Sequence, residues 1–141
     1  MKTLNRALLV TALFLCTVAQ ATEPSVSPST EGASVYIISP SNGEIVDKVV
    51  TVKFGLQGMG VSPAGLDKAG TGHHHLIIDG KQLPDFDKPM GSEVMHFGGG
   101  QTEKTIELKP GKHTLQLILG NYLHIPHNPP VVSEKISITV Q

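Results

Sequence analysis

The residues in this 141-residue chain best suited to chemistry are its seven histidines. Three are consecutive, His73-His74-His75. His96 precedes Phe97 and the run Gly98-Gly99-Gly100, His124 and His127 bracket Ile125-Pro126, and His113 stands apart. A neutral imidazole nitrogen ligates copper, zinc, iron or nickel. In a strand, residues two apart share a face at roughly 6.6 Å, so His73 and His75 make a pair able to grip one ion, whereas His74 shares its face with Leu76 and Ile78. In His124-Ile125-Pro126-His127 two rings lie three residues apart, and Pro126, Pro129 and Pro130 restrict the backbone and reduce the entropy lost on chelation. Met59 and Met95 add thioether sulfur. Nitrogen with sulfur, without thiolate or a carboxylate cage, points to copper first and zinc second, since calcium and magnesium want oxygen. The candidate metal ligands are His73, His74, His75, His96, His124 and His127.

Several other chemistries are excluded or unsupported. No H-E-x-x-H zinc-protease signature and no G-x-S-x-G elbow occur. Gly98-Gly99-Gly100-Gln101-Thr102 lacks the Lys of a phosphate loop and reads as a tight turn. The only cysteine, Cys16, lies in an apolar N-terminal run, so the remainder has no thiol for disulfides, thiolate catalysis or Cys-based zinc.

That run, Ala7 to Ala19, follows Lys2 and Arg6 and ends in Ala19-Gln20-Ala21, the pattern of a secretory signal peptide cleaved after Ala21. Its apolar part is too short to span a bilayer, and no other stretch predicts a membrane span after cleavage. The expected location is periplasmic or secreted. The new first residue is Thr22, so a copper site built on a terminal histidine is ruled out. Residues 22–141 carry nine Lys, no Arg and twelve acids. Without clustered Lys and Arg, nucleic acid is not an expected partner.

Positioning the histidines requires a scaffold, and the pattern is all-β. Residues 22–33 (TEPSVSPSTEGA) hold a lone Val among Ser and Pro and read as a flexible leader. Residues 34–141 read as one domain of about seven strands, at 34–39, 49–54, 73–79, 93–97, 103–108, 112–119 and 131–140. Each has period-two alternation and is set off by Gly, Pro, Asn or Asp. This count suggests an immunoglobulin-like antiparallel β-sandwich. No tryptophan is present, so its core is aliphatic.

Three connections are long, at 55–72, 80–92 and 120–130, and long loops in compact domains tend to be functional. Sandwich topology gathers one set of loops at a shared pole. His73, His74 and His75 open the third strand there, His96 closes the fourth, and His124 and His127 lie in the last long loop. His113 starts the sixth strand at the opposite pole, where a ring beside a turn bonds backbone. The acids Asp85, Asp87 and Glu93 are expected at that other pole.

Several blocks together carry a family resemblance. They are Ser39-Pro40 with Asn42-Gly43, Val52-Lys53-Phe54-Gly55-Leu56 through Pro63-Ala64-Gly65, and Gly72-His73-His74-His75-Leu76-Ile77-Ile78-Asp79. His96-Phe97-Gly98 through Glu103, Pro110-Gly111 with His113–Leu117, and His124-Ile125-Pro126-His127 with Pro129-Pro130 complete the set. The chain resembles an uncharacterised bacterial exported family known as domain of unknown function 4399. The resemblance implies an exported domain and supplies no activity or catalytic residue. The opening S-P-x-N-G block and the V-x-V-x-F strand are also similar to periplasmic copper-resistance sandwiches.

The expected function is therefore a non-catalytic exported sandwich binding a transition ion, copper or zinc. Two alternatives use the same loops. One is a module for a glycan, peptide or envelope protein, with histidines hydrogen-bonding inside it. The other is a small hydrolase working through a metal-bound water. The sequence does not set the oligomeric state.

Overall fold

The computed structural model describes residues 25–141. The signal peptide, its cleavage point and Cys16 lie outside the described residues. Nine strands follow in order: β1 (Ser34–Ser39), β2 (Ile45–Val46), β3 (Val49–Gln57), β4 (Gly60–Val61), β5 (Thr71–Ile78), β6 (Met95–His96), β7 (Glu103–Glu107), β8 (Gly111–Gly120) and β9 (Ile136–Val140). No helix occurs among the described residues, and so none is long and apolar enough to cross a membrane.

The strands form two sheets, β1-β3-β7 and β2-β9-β8-β5-β4, with β6 paired to β5. The expected β-sandwich is what forms, and the pairings β1-β3-β7 and β9-β8-β5 follow the immunoglobulin order. Pairing is antiparallel apart from the two-residue partners β2 on β9 and β4 on β5. The expected fourth strand shrinks to Met95–His96. The expected seventh shortens to Ile136–Val140, because the Ser133 hydroxyl takes the Leu117 N–H that a longer strand would have bonded, leaving only an isolated bridge between Ile118 and Val132.

Alternation sets the core. Val50, Val52, Phe54 and Ile106 from one sheet meet Leu76, Leu115, Leu117, Leu119, Ile138 and Val140 from the other. A full-volume truncation such as Leu117→Ala in such a core costs about 2–5 kcal/mol. On β5 the parity is decisive. Leu76 faces this core, with His74 beside Phe54 at a ring-centroid distance of 5.2 Å. His73, His75 and Ile77 take the opposite face of the sheet. That face is also buried, because Ile77 and Ile118 pack with Met90 from the β5–β6 connection, flanked by Val94 and Val132. The 79–94 connection thus returns to the histidine pole, where Met90 N donates to His124 O at 2.9 Å. Asp87 accordingly lines a cleft with His127, not the far pole expected for it.

The segment expected as a flexible leader is held down over its described part. Ser29 N donates to Asn128 O, Asn128 N to Ser27 O, and the Asn121 amide to Ser25 O and Ser27 Oγ. Backbone and hydroxyl bonding, which composition does not reveal, takes the place of the missing apolar contacts.

Candidate metal centre

His73 and His75 project from the β5 edge of the pole with rings 4.7 Å apart. Register places His75 opposite His96 on β6 and opposite Ile118 on β8, and His73 opposite Gly120. His124 arrives from the β8–β9 loop in a left-handed conformation, φ 64°. That conformation is unusual for a non-glycine residue and is held by a network centred on buried Asn121. Asn121 Oδ1 accepts from Leu123 N and Ile125 N at 2.9 and 3.0 Å, and Asn121 O accepts from His124 N at 2.9 Å.

The β3–β5 connection then ties the outer loops together. Ala64 N donates to Gly98 O, two residues after His96, and Gly65 N donates to Tyr122 O, two residues before His124. One Gly-rich strap fixes the two segments that carry the outer rings.

The result is a group of four imidazoles, His73, His75, His96 and His124, whose candidate ligand atoms all lie within 4.8 Å of one another. Centroid distances are 5.0 Å for His73–His96, 5.1 Å for His73–His124, 5.2 Å for His75–His96, 5.9 Å for His75–His124 and 4.4 Å for His96–His124. His73 and His75 are fully buried, His124 is half-buried and His96 is exposed. His73 Nε2 and His124 Nδ1 share a hydrogen bond at 3.1 Å. His73 Nδ1 and both nitrogens of His75 are buried with no hydrogen-bond partner among the described residues. Each such orphan costs about 1–3 kcal/mol if nothing satisfies it, and at His73 and His75 a single bound ion would offset the cost.

The electrostatics favour ligation, which needs the neutral ring. Burial, then the neighbouring His124 and His96, lowers His73 from 6.5 to about 4. Burial, followed by His73, His96 and His124, lowers His75 to about 3. Burial and His96 also lower His124.

Space is equally constrained. A β-carbon on Gly120 would lie 2.6 Å from Cε1 of His75 and 2.9 Å from Cε of Met90, and one on Gly98 would overlap the His96 ring. These glycines exist where rings need their volume.

Two of the expected ligands fall outside the group. His74 points into the main core beside Phe54, and burial lowers its pKa. Neither of its nitrogens has a hydrogen-bond partner among the described residues. His127 is occupied by main chain, with Nε2 3.1 Å from Thr71 O and Nδ1 3.4 Å from Leu119 O. A neutral ring donates once, and the shorter contact assigns that proton to Thr71. The ring is pinned between β5 and β8, its Nδ1 faces the Leu119 carbonyl, and it does not belong to the four-ring group.

Met59 and Met95 pack against the main core. His113 sits at the opposite pole, as expected, with Nε2 2.8 Å from Lys109 O and Nδ1 2.7 Å from Asp79 Oδ2. Its acidic partner was not foreseen. Asn121 and the glycine spacers were also missed, and their only sequence signal is position beside the histidine blocks.

Among comparisons with known proteins, the model of a family described as a domain of unknown function (DUF4399) matches residues 52–141, a span that contains all four grouped histidines. No curated protein and no solved structure matches the chain.

Proposed function

The chain belongs to that family of unknown function, and from the geometry of its imidazoles we propose that it is an exported sandwich, periplasmic or secreted, holding a transition-metal ion at its loop pole. The ion is copper or zinc, and the role is buffering, delivery or resistance in the envelope. The observation that carries this reading is the convergence of His73, His75, His96 and His124 from three separate segments, with buried ring nitrogens left unpartnered. Export is supported by the charged start, the short apolar run and the Ala19-Gln20-Ala21 triplet. Copper was favoured in part by thioether sulfur. With Met59 and Met95 packed on the core, the ligand set is imidazole alone, which suits copper and zinc alike.

The test is metal analysis of protein purified without a His-tag or nickel column. One equivalent of copper or zinc, lost in a His73→Ala/His75→Ala variant of unchanged circular dichroism, is the expected result. Protein with no bound metal and no thermal shift on adding Cu²⁺ or Zn²⁺ overturns the proposal. That outcome would leave a binding module for a peptide or envelope protein, for which the cleft lined by Val26, Phe86, Asp87, His127, Asn128 and Pro130 is the place to look.

A further inference from the structure

The four rings also define a coordination shape. With metal–nitrogen bonds of about 2.0–2.1 Å and a ring centroid roughly 1.1 Å beyond the nitrogen, each centroid sits about 3.2 Å from the ion. A tetrahedral ion then sets all six centroid distances near 5.2 Å, whereas a square-planar ion sets four near 4.5 Å and two diagonals near 6.4 Å.

The observed distances run from 4.4 to 5.9 Å. The longest, His75–His124 at 5.9 Å, is the only candidate for a diagonal. Its opposite pair, His73–His96, would have to be the second diagonal and is only 5.0 Å. The remaining opposite pairs, 5.1 with 5.2 Å and 4.7 with 4.4 Å, are not diagonals either. The arrangement is a distorted tetrahedron, and it is braced. Gly120 leaves His75 no slack toward β8, Gly98 abuts His96, and the Ala64 and Gly65 strap ties the two outer loops.

Resting on the reading of these rings as a metal site, we infer that the site is built for a closed-shell d¹⁰ ion, Zn(II) or Cu(I), and would hold Cu(II), which prefers a tetragonal field, only in a strained geometry. Four protein nitrogens complete a tetrahedral shell and leave no open position for a substrate or an activated water. The ion is therefore held as cargo or as a structural centre. A hydrolase working through metal-bound water does not fit this shell.

Co(II) reports the shape directly. Untagged protein titrated with Co(II) is expected to take up one equivalent and to show the intense visible d–d absorption of a tetrahedral complex, absent in His73→Ala/His75→Ala. Zn(II), and Cu(I) delivered anaerobically with reductant, are each expected to bleach that band stoichiometrically. Whichever does so against the stronger competing chelator is the preferred ion. Cu(II), which binds imidazole sites strongly whatever their shape, is expected to enter with the small parallel hyperfine splitting of a flattened tetrahedron in its electron paramagnetic resonance spectrum. Weak six-coordinate Co(II) absorption, or Cu(II) with an axial tetragonal electron paramagnetic resonance spectrum, overturns the tetrahedral inference while leaving a metal site in place. Failure of every ion to bind overturns the site itself.

Discussion

His73 and His124, 51 residues apart in sequence, meet through a single hydrogen bond, Nε2 to Nδ1 at 3.1 Å, between a buried strand residue and a half-buried loop residue. One ring donates and the other accepts, so the pair is already organised before any ion arrives. Removing the outer partner strands the inner one, because His73 Nδ1 already lacks a hydrogen bond among the described residues. His124→Ala is therefore expected to destabilise the metal-free protein by about 1 kcal/mol, read from the urea midpoint. It is also expected to weaken ion binding by roughly 100-fold or more, a larger loss than the 10–100-fold typical of an outer-shell change.

Acid acts on the same cluster with a definite sign. His73 and His75 titrate at about 4 and about 3 when folded, against 6.5 for a free ring. Below pH 6.5 the unfolded chain gains protons that the folded chain does not. Their contribution is whole above that pH and is lost progressively as pH falls toward 4 and then 3. Urea midpoints of the metal-free protein should fall steeply between pH 6.5 and 4, and a His73→Leu/His75→Leu variant should show a flatter profile over that window. An unchanged slope in the variant would contradict the assignment.

The opposite pole titrates the other way. The hydrogen bond to Asp79 raises the His113 pKa, helped by the Lys109 carbonyl. Burial pushes the Asp79 carboxyl up, but the Thr114 N–H and His113 outweigh it and the net shift is downward. The raised His113 contribution is present below pH 6.5 and disappears as pH rises through its folded value. Asp79 has φ 55°, a conformation Asn tolerates. Asp79→Asn should therefore keep the β5 terminus and return the His113 pKa toward 6.5, as followed by the ring protons in an NMR titration.

Most of the scaffold was legible in the sequence because alternation is a two-fold code. Leu76 facing the core obliges His75 to face away, and that parity paired His73 with His75 without coordinates, although His74 was still counted among the expected ligands. The opposite-pole position of His113 followed from the same strand count. Composition could not show that the 79–94 connection folds back to cover the outer face of β5, because Met90 and Ile77 meet only through tertiary packing. Nor could it distinguish His127 from His124. Both lie in one short Pro-rich loop, yet one finds two carbonyls and the other finds imidazole. That choice is made by the left-handed turn at His124, which depends on hydrogen bonds to Asn121 that no periodicity reports.

Ring placement predicts an unusual sensitivity at Gly120. Its φ is not among the positive values, so alanine meets no backbone strain there. The added methyl would instead collide with His75 and Met90 at 2.6 and 2.9 Å. Overpacking of this kind costs about 1–3 kcal/mol, and the ring, displaced from the tetrahedron, should lose ion affinity by an order of magnitude or more. Isothermal titration of Gly120→Ala beside the wild type, with urea unfolding of both metal-free proteins, separates the two losses. A variant that is destabilised but binds normally would show that His75 does not have to stay where Gly120 holds it.

Asn121 acts on the site through the backbone that presents His124, not through the rings. Its Oδ1 holds the turn that presents His124, while its Nδ2 anchors Ser25 and Ser27. Asp in its place keeps the two acceptor contacts and loses the two donor contacts. Alanine loses all four and leaves the buried N–H of Ile125 unpaired. The structure therefore orders the variants. Asn121→Asp should release the 25–29 segment, detected as faster amide exchange there, with ion affinity within about threefold of wild type. Asn121→Ala should cost about 2 kcal/mol or more through the stranded donors and should lower affinity at least tenfold by letting His124 leave its left-handed conformation. Equal affinity in the two variants would mean that the ion, and not Asn121, organises the His124 turn.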